Sequence, residues 1–147
     1  MGSLFEKEEW LNAVALLRNK ASEFEKLESA IMNTFYIASN SPELLDEYDS
    51  LLFKAEIIRN TIKTVTEGID YVFKVFNTVF NDTDTSGLGF IPLVPIAVIL
   101  AAIASITYWV NDAVKYLSKI NEVKRIESEG YTVKEAYQIL QDEKGFF

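Results

Sequence analysis

The side chains best placed for chemistry in this sequence are its carboxylates, which gather as Glu6/Glu8/Glu9, Glu23/Glu25/Glu28 and Asp46/Glu47/Asp49. Two carboxylates sharing a cleft can divide acid and base roles between them. Here no nucleophile or imidazole accompanies them, and a solvated helix face accounts for each cluster. The chain has no Cys and no His. Disulfides, thiolate and imidazole metal sites, cysteine nucleophiles and histidine bases are therefore excluded. No catalytic, cofactor-binding or metal-binding residue is assigned, no cofactor is expected, and the chain does not read as an enzyme.

Asp82-Thr83-Asp84-Thr85-Ser86-Gly87 resembles the first half of an EF-hand calcium loop, with oxygen ligands at alternate positions and Gly sixth. The twelfth position, where a bidentate Glu is required, is Leu93. A polar turn joining two helices is the expectation for this segment. Asn81-Asp82-Thr83 also fits a glycosylation sequon, which means little without a secretory context. Asp70 and Lys74 are spaced to pair along one helix face. Glu28 interrupts an otherwise apolar seam, where a polar residue can set register.

The elements that carry these residues are dominated by one uncharged stretch. Residues 85–111 hold no ionic side chain, although 24% of the chain is charged. Within it, Leu88 to Val110 reads LGFIPLVPIAVILAAIASITYWV. A helix of about 20 apolar residues crosses the roughly 30 Å hydrocarbon core of a bilayer. The run is also apolar on every face, so burial of one side against a soluble core leaves the rest bare. A transmembrane helix over about 88–110 is expected, with Phe90 at one interface and Tyr108 and Trp109 at the other. Ala97, Ala101 and Ser105 recur every four residues and form a candidate helix-association face.

The rest of the pattern is helical. Ser3-Leu4-Phe5-Glu6 fits a capping box, opening a helix from about Leu4 to Ser39. Its seam is Trp10, Val14, Leu17, Ala21, Phe24, Ile31, Phe35 and Ala38. Ser41-Pro42 begins a second helix. There Leu44, Tyr48, Leu51, Ala55, Ile58, Ile62, Val65, Ile69, Val72, Phe76 and Val79 alternate steps of four and three. An unbroken apolar seam of that length implies coiled-coil-like packing, and the short turn makes the two helices an antiparallel hairpin. Each arm of about 36 residues is roughly 54 Å long. Gly68 lies off the seam and weakens its helix by about 1 kcal/mol. The apolar span should run on into a charged segment with a stripe of Val110, Val114, Leu117, Ile120, Val123 and Ile126, ending at Gly130. Thr132-Val133-Lys134-Glu135 is a second capping box, opening a short helix with Val133, Ala136, Tyr137 and Leu140 on its apolar face. Phe146 and Phe147 close the chain.

The expected fold is all-α. An acidic helical hairpin arm occupies 1–80 and a loop 81–91. One long helix containing the span occupies 92–129, and a short C-terminal helix and tail 130–147. Three long helices of similar length also fit a three-helix bundle.

Net charge is −8. Residues 1–84 hold 15 acids against 8 bases, and residues 112–147 hold 7 against 6. Direct nucleic-acid binding is not expected, because it needs clustered Lys and Arg. The first residues, MGSLFEKEEW, have no apolar core of a cleavable signal, and Glu6 stands where myristoylation wants Ser or Thr. Lys115, Lys119, Lys124 and Arg125 follow the span, against only Lys74 within about 15 residues before it. This bias sets the C-terminal arm on the cytoplasmic or interior side.

The leading expectation is a non-enzymatic structural or anchoring subunit of a membrane-associated assembly, located in a virion or host-cell envelope. Its partners would be the lipid bilayer and either further copies of itself or other protein subunits. In size and plan the chain is similar to the small single-span membrane proteins of bacteriophage particles. One alternative is a holin-like or helical pore-forming protein, inserting Ile69–Phe80 and Pro92–Val110 as a hairpin. A second is a soluble helical-bundle oligomer subunit of a phage neck, tail or portal-type ring.

Overall fold

A computed structural model describes the backbone of residues 2–81 and 94–145, and the side chains of residues 8–75, 77, 94–143 and 145. The described chain forms α1 (Gly2–Met32), α2 (Phe35–Ala38), α3 (Pro42–Asn81), α4 (Ile96–Glu127) and α5 (Val133–Lys144). No strand occurs among the described residues, so the architecture is all-α, as the periodicity predicts.

The expected first helix over 4–39 is interrupted. The hydroxyl of buried Thr34 donates to the Ile31 carbonyl at 2.6 Å, and its own N–H reaches the same carbonyl at 3.0 Å. α1 ends at Met32, and Asn33 and Thr34 form a turn before α2. The break also turns the seam. Phe35, expected inside, is 52% exposed, whereas Ile37 and Ala38 are buried.

α3 begins as predicted. Pro42 occupies the first helical position, where its missing N–H costs nothing, and the Leu45 N–H donates to the Ser41 carbonyl. The helix continues without a break through Ile69–Phe80 to Asn81. α4 starts later than the expected Pro92, at Ile96, with the Pro95 carbonyl accepting from the Val98 and Ile99 N–H groups. It ends at Glu127 rather than 129. Gly130 follows with φ +104°, a backbone conformation that glycine adopts without steric cost.

The Thr132–Glu135 capping box forms at the start of α5. The Glu135 N–H donates to Thr132 Oγ1 at 3.1 Å, and the Thr132 N–H donates to Glu135 Oε1 at 3.3 Å. Gly145 closes the helix in the left-handed region with φ +59°. α1 starts at Gly2 rather than about Leu4, so Ser3 lies within the helix and not at its N-cap; the side chains of the predicted Ser3–Glu6 capping box lie outside the described residues, as do Phe146 and Phe147.

α1, α3 and α4 each contribute to two compact units. The first comprises residues up to 22 together with 57–107, and the second 23–56 together with 108–147. In the first unit Trp10, Val14 and Leu17 of α1 join Ile58, Val65, Ile69 and Val72 of α3 and Ile99, Ala102 and Ile106 of α4 in the core. Trp10 meets Phe73 edge-on at 5.3 Å, and its indole N–H donates to the Val94 carbonyl at 3.0 Å. A Cβ at Gly68 would lie 3.0 Å from Val94 Cγ2. The glycine that weakens α3 thus lets the segment before α4 approach closely.

In the second unit Phe24, Ile31, Leu44, Tyr48, Leu51 and Ala55 pack with Trp109, Ala113, Tyr116, Ile120, Val123 and Ile126. Val133, Ala136 and Leu140 of α5 are buried as expected. Within α4 the predicted stripe needs correction at one point. Val114 is 51% exposed, and Ala113 and Tyr116 take the inward positions, because the observed helix places residues 113, 116, 120 and 123 on its covered side.

Candidate functional site

The uncharged part of α4 has two unlike faces. Ile99, Ala102, Ile103 and Ile106 are buried against the first unit's own helices. Ala97, Val98, Leu100, Ala101, Ala104 and Ser105 are exposed. Val98 and Leu100 are 43% and 50% exposed, enough to leave large apolar side chains uncovered. The candidate association residues Ala97, Ala101 and Ser105 all lie on this bare side, and Ser105 Oγ donates to the Ala101 carbonyl at 3.0 Å. α4 is long and apolar enough to cross a membrane. Its inner face is already occupied by protein.

Of the three aromatics predicted at a lipid interface, Tyr108 is 78% exposed and Phe90 lies outside the described residues. Trp109 is 1% exposed. Its ring packs on Phe24 at a centroid distance of 4.7 Å, and its N–H donates to the Leu51 carbonyl at 3.0 Å. A buried indole with its donor satisfied is a core residue, which removes Trp109 from any lipid-facing belt.

Of the predicted hairpin seam, Leu44, Tyr48, Leu51, Ala55, Ile58, Val65, Ile69 and Val72 are buried and Ile62 is half-buried. The side chains of Phe76 and Val79 lie outside the described residues, as does the Asp82–Gly87 loop with its sequon. Asp70 and Lys74 are both exposed on α3, and Glu28 is half-buried on α1.

A second surface feature was not read from the sequence. In the second unit, Glu47, Ser50, Leu51 and Lys54 of α3 and Asp112, Lys115 and Lys119 of α4 line a groove of about 250 Å³. The two rows run in opposite directions. Lys119 pairs with Glu47 at 3.0 Å, and Lys54 pairs with Asp112 at 3.2 Å, so an ion pair stands at each end. Lys115 lies between them on α4 and has no carboxylate partner among the described residues. Along the sequence Lys115 and Lys119 are distinguished only as charges that follow the apolar stretch. Lys54 joins them once α3 and α4 are set side by side, a register that no local motif encodes.

Deeper in the second unit, Tyr116 is fully buried and its hydroxyl lies 3.4 Å from the Leu44 carbonyl. Burial drives its pKa well above the ordinary phenol range, partly offset by a hydrogen bond with Thr34, while Glu47, Tyr48 and Asp49 add to the rise. Among the described residues no group of three or more acidic side chains converges as a metal site would require. Comparisons with protein-family models, with curated proteins and with solved structures find no match for this chain.

Proposed function

We propose that the protein is a non-enzymatic structural subunit that anchors an assembly to a lipid bilayer, with α4 as the lipid-contacting element. One observation carries the reading: the exposed side of α4 from Ala97 to Ser105 is apolar and lies inside a stretch with no ionic side chain. Water would face Val98 and Leu100 at a cost of about 25 cal/mol per Å² of uncovered apolar surface, and acyl chains relieve it. The inner face needs no lipid, because Ile99, Ala102 and Ile106 are covered by the chain's own helices. The lysines after the apolar stretch favour a C-terminal arm on the cytoplasmic or interior side. The size and plan fit a small membrane protein of a bacteriophage particle.

A second reading, a soluble bundle whose bare α4 face is covered by another copy, is favoured by that same inner-face packing. Extraction separates the two. An anchored protein stays with the membrane pellet through high salt and alkali and is released by detergent. Leu100→Lys with Ala101→Lys then moves it to the supernatant, because each charge costs about 3 kcal/mol in the hydrocarbon. Both positions face outward, so the helical circular dichroism of the variant stays that of the wild type. Wild-type protein that remains in the aqueous supernatant and sediments as an oligomer supports the second reading and defeats the first.

A further inference from the structure

The groove between α3 and α4 in the second unit holds more positive charge than its own acids neutralise. Glu47 and Asp112 are each engaged at one end by Lys119 and Lys54. Lys115 stands between those pairs with the exposed Ser50 among the lining residues. Three lysines and two carboxylates line this groove, a local excess of positive charge in a chain of net charge −8. Lysine binds phosphate as a compact point charge with three donors, and a serine hydroxyl can donate to a phosphate oxygen.

We propose that this groove binds a phosphate-bearing anion. Lys115 is the principal contact, Lys54 and Lys119 swing partly from their carboxylates toward it, and the Ser50 hydroxyl adds a donor. The groove lies just beyond Tyr108. That exposed aromatic is two turns before Lys115 on α4, a rise of about 10 Å. Where the anchoring reading holds, on which the lipid source rests, this spacing puts the groove at the level of lipid headgroups. The phosphate chemistry itself does not depend on that reading.

The test uses the full chain and two probes. The first is flotation with phosphatidylcholine vesicles, with and without phosphatidylglycerol. The second is the shift in melting temperature produced by inorganic phosphate against chloride at equal ionic strength. Wild-type protein should partition about fivefold or more better onto the anionic vesicles, the preference expected per juxtamembrane lysine. Lys115→Gln should abolish most of that preference while still floating with neutral vesicles. Because Lys115 is exposed and holds no ion pair among the described residues, the variant keeps its fold. Lys134→Gln, which removes an exposed charge from α5, should leave the preference intact.

A melting shift with inorganic phosphate that Lys115→Gln removes, without any vesicle preference, identifies free phosphate as the ligand. Equal loss in Lys115→Gln and Lys134→Gln reduces the effect to general charge and overturns the site. Flotation on neutral vesicles with no anionic preference and no phosphate shift overturns the site and leaves the anchoring reading standing. Failure to float on any vesicle removes the anchoring reading, and the phosphate shift alone then decides the groove.

Discussion

Tyr116 shows how single side chains hold the second unit together. Its ring is fully buried, and its hydroxyl has Leu44 and Thr34 as partners. Thr34 lies in the turn after α1, so a residue of the chain turn also serves a buried phenol. In the unfolded chain a tyrosine ionises near pH 10. Here burial raises the folded value above that. The unfolded state therefore loses its proton first as pH rises. The contribution of Tyr116 is complete below about pH 10 and declines as pH climbs from there toward the folded pKa. Thermal melts between about pH 8 and about pH 11 should fall more steeply in the wild type than in Tyr116→Phe. Some slope remains in the variant, because Tyr48 and Tyr137 are also raised by burial. At neutral pH the variant should lose about 1 kcal/mol for the missing hydrogen bond. Equal slopes would mean that the phenol is not buried as described. At this scale the sequence is a weak guide. Tyr108 and Trp109 are neighbours with the same interfacial tendency, yet one is 78% exposed and the other 1%. Only the register of α4 against Phe24 and Leu51 separates them.

Elements were far more legible than their ends. The four-three alternation in α3 names its buried side: of nine predicted seam side chains that are described, eight are buried and one is half-buried. Periodicity works there because a single helix face meets its neighbours over the whole length. It fails at Asn33–Thr34, where α1 gives way to a turn inside an intact apolar pattern, and at Val114, where a one-residue difference in register exchanges buried for exposed. Gly68 is a third case. Composition marks it only as a weak helical residue, whereas the structure gives it a role in the close approach of Val94. Gly68→Ala should be nearly neutral, the gain in helix propensity of about 1 kcal/mol being offset by a tight Cβ contact. Gly68→Val should destabilise by about 1–3 kcal/mol through overpacking. Urea unfolding of both variants checks this. A valine variant as stable as the alanine one would show that the segment at Val94 yields freely.

For the molecule as a whole, the hydropathy of residues 88–110 raises the question of what surrounds α4, and the fold answers for one side only. Hydropathy is blind to which face of a helix the chain itself covers. Ile99 and Ile106 are as apolar as Val98 and Leu100, yet the first two are buried and the last two are bare. The chain contains no cysteine, so a single introduced cysteine can carry an environment-sensitive fluorophore. Ala101 is exposed on α4, and Tyr71 is exposed on α3. With vesicles added, a label at Ala101→Cys should shift to the blue and be quenched by acyl-chain-brominated lipid, while a label at Tyr71→Cys stays in water. Equal, unquenched emission from both positions in saturating vesicles would show that the bare side of α4 does not meet lipid. So would a blue shift at 101 that needs no lipid and grows with protein concentration.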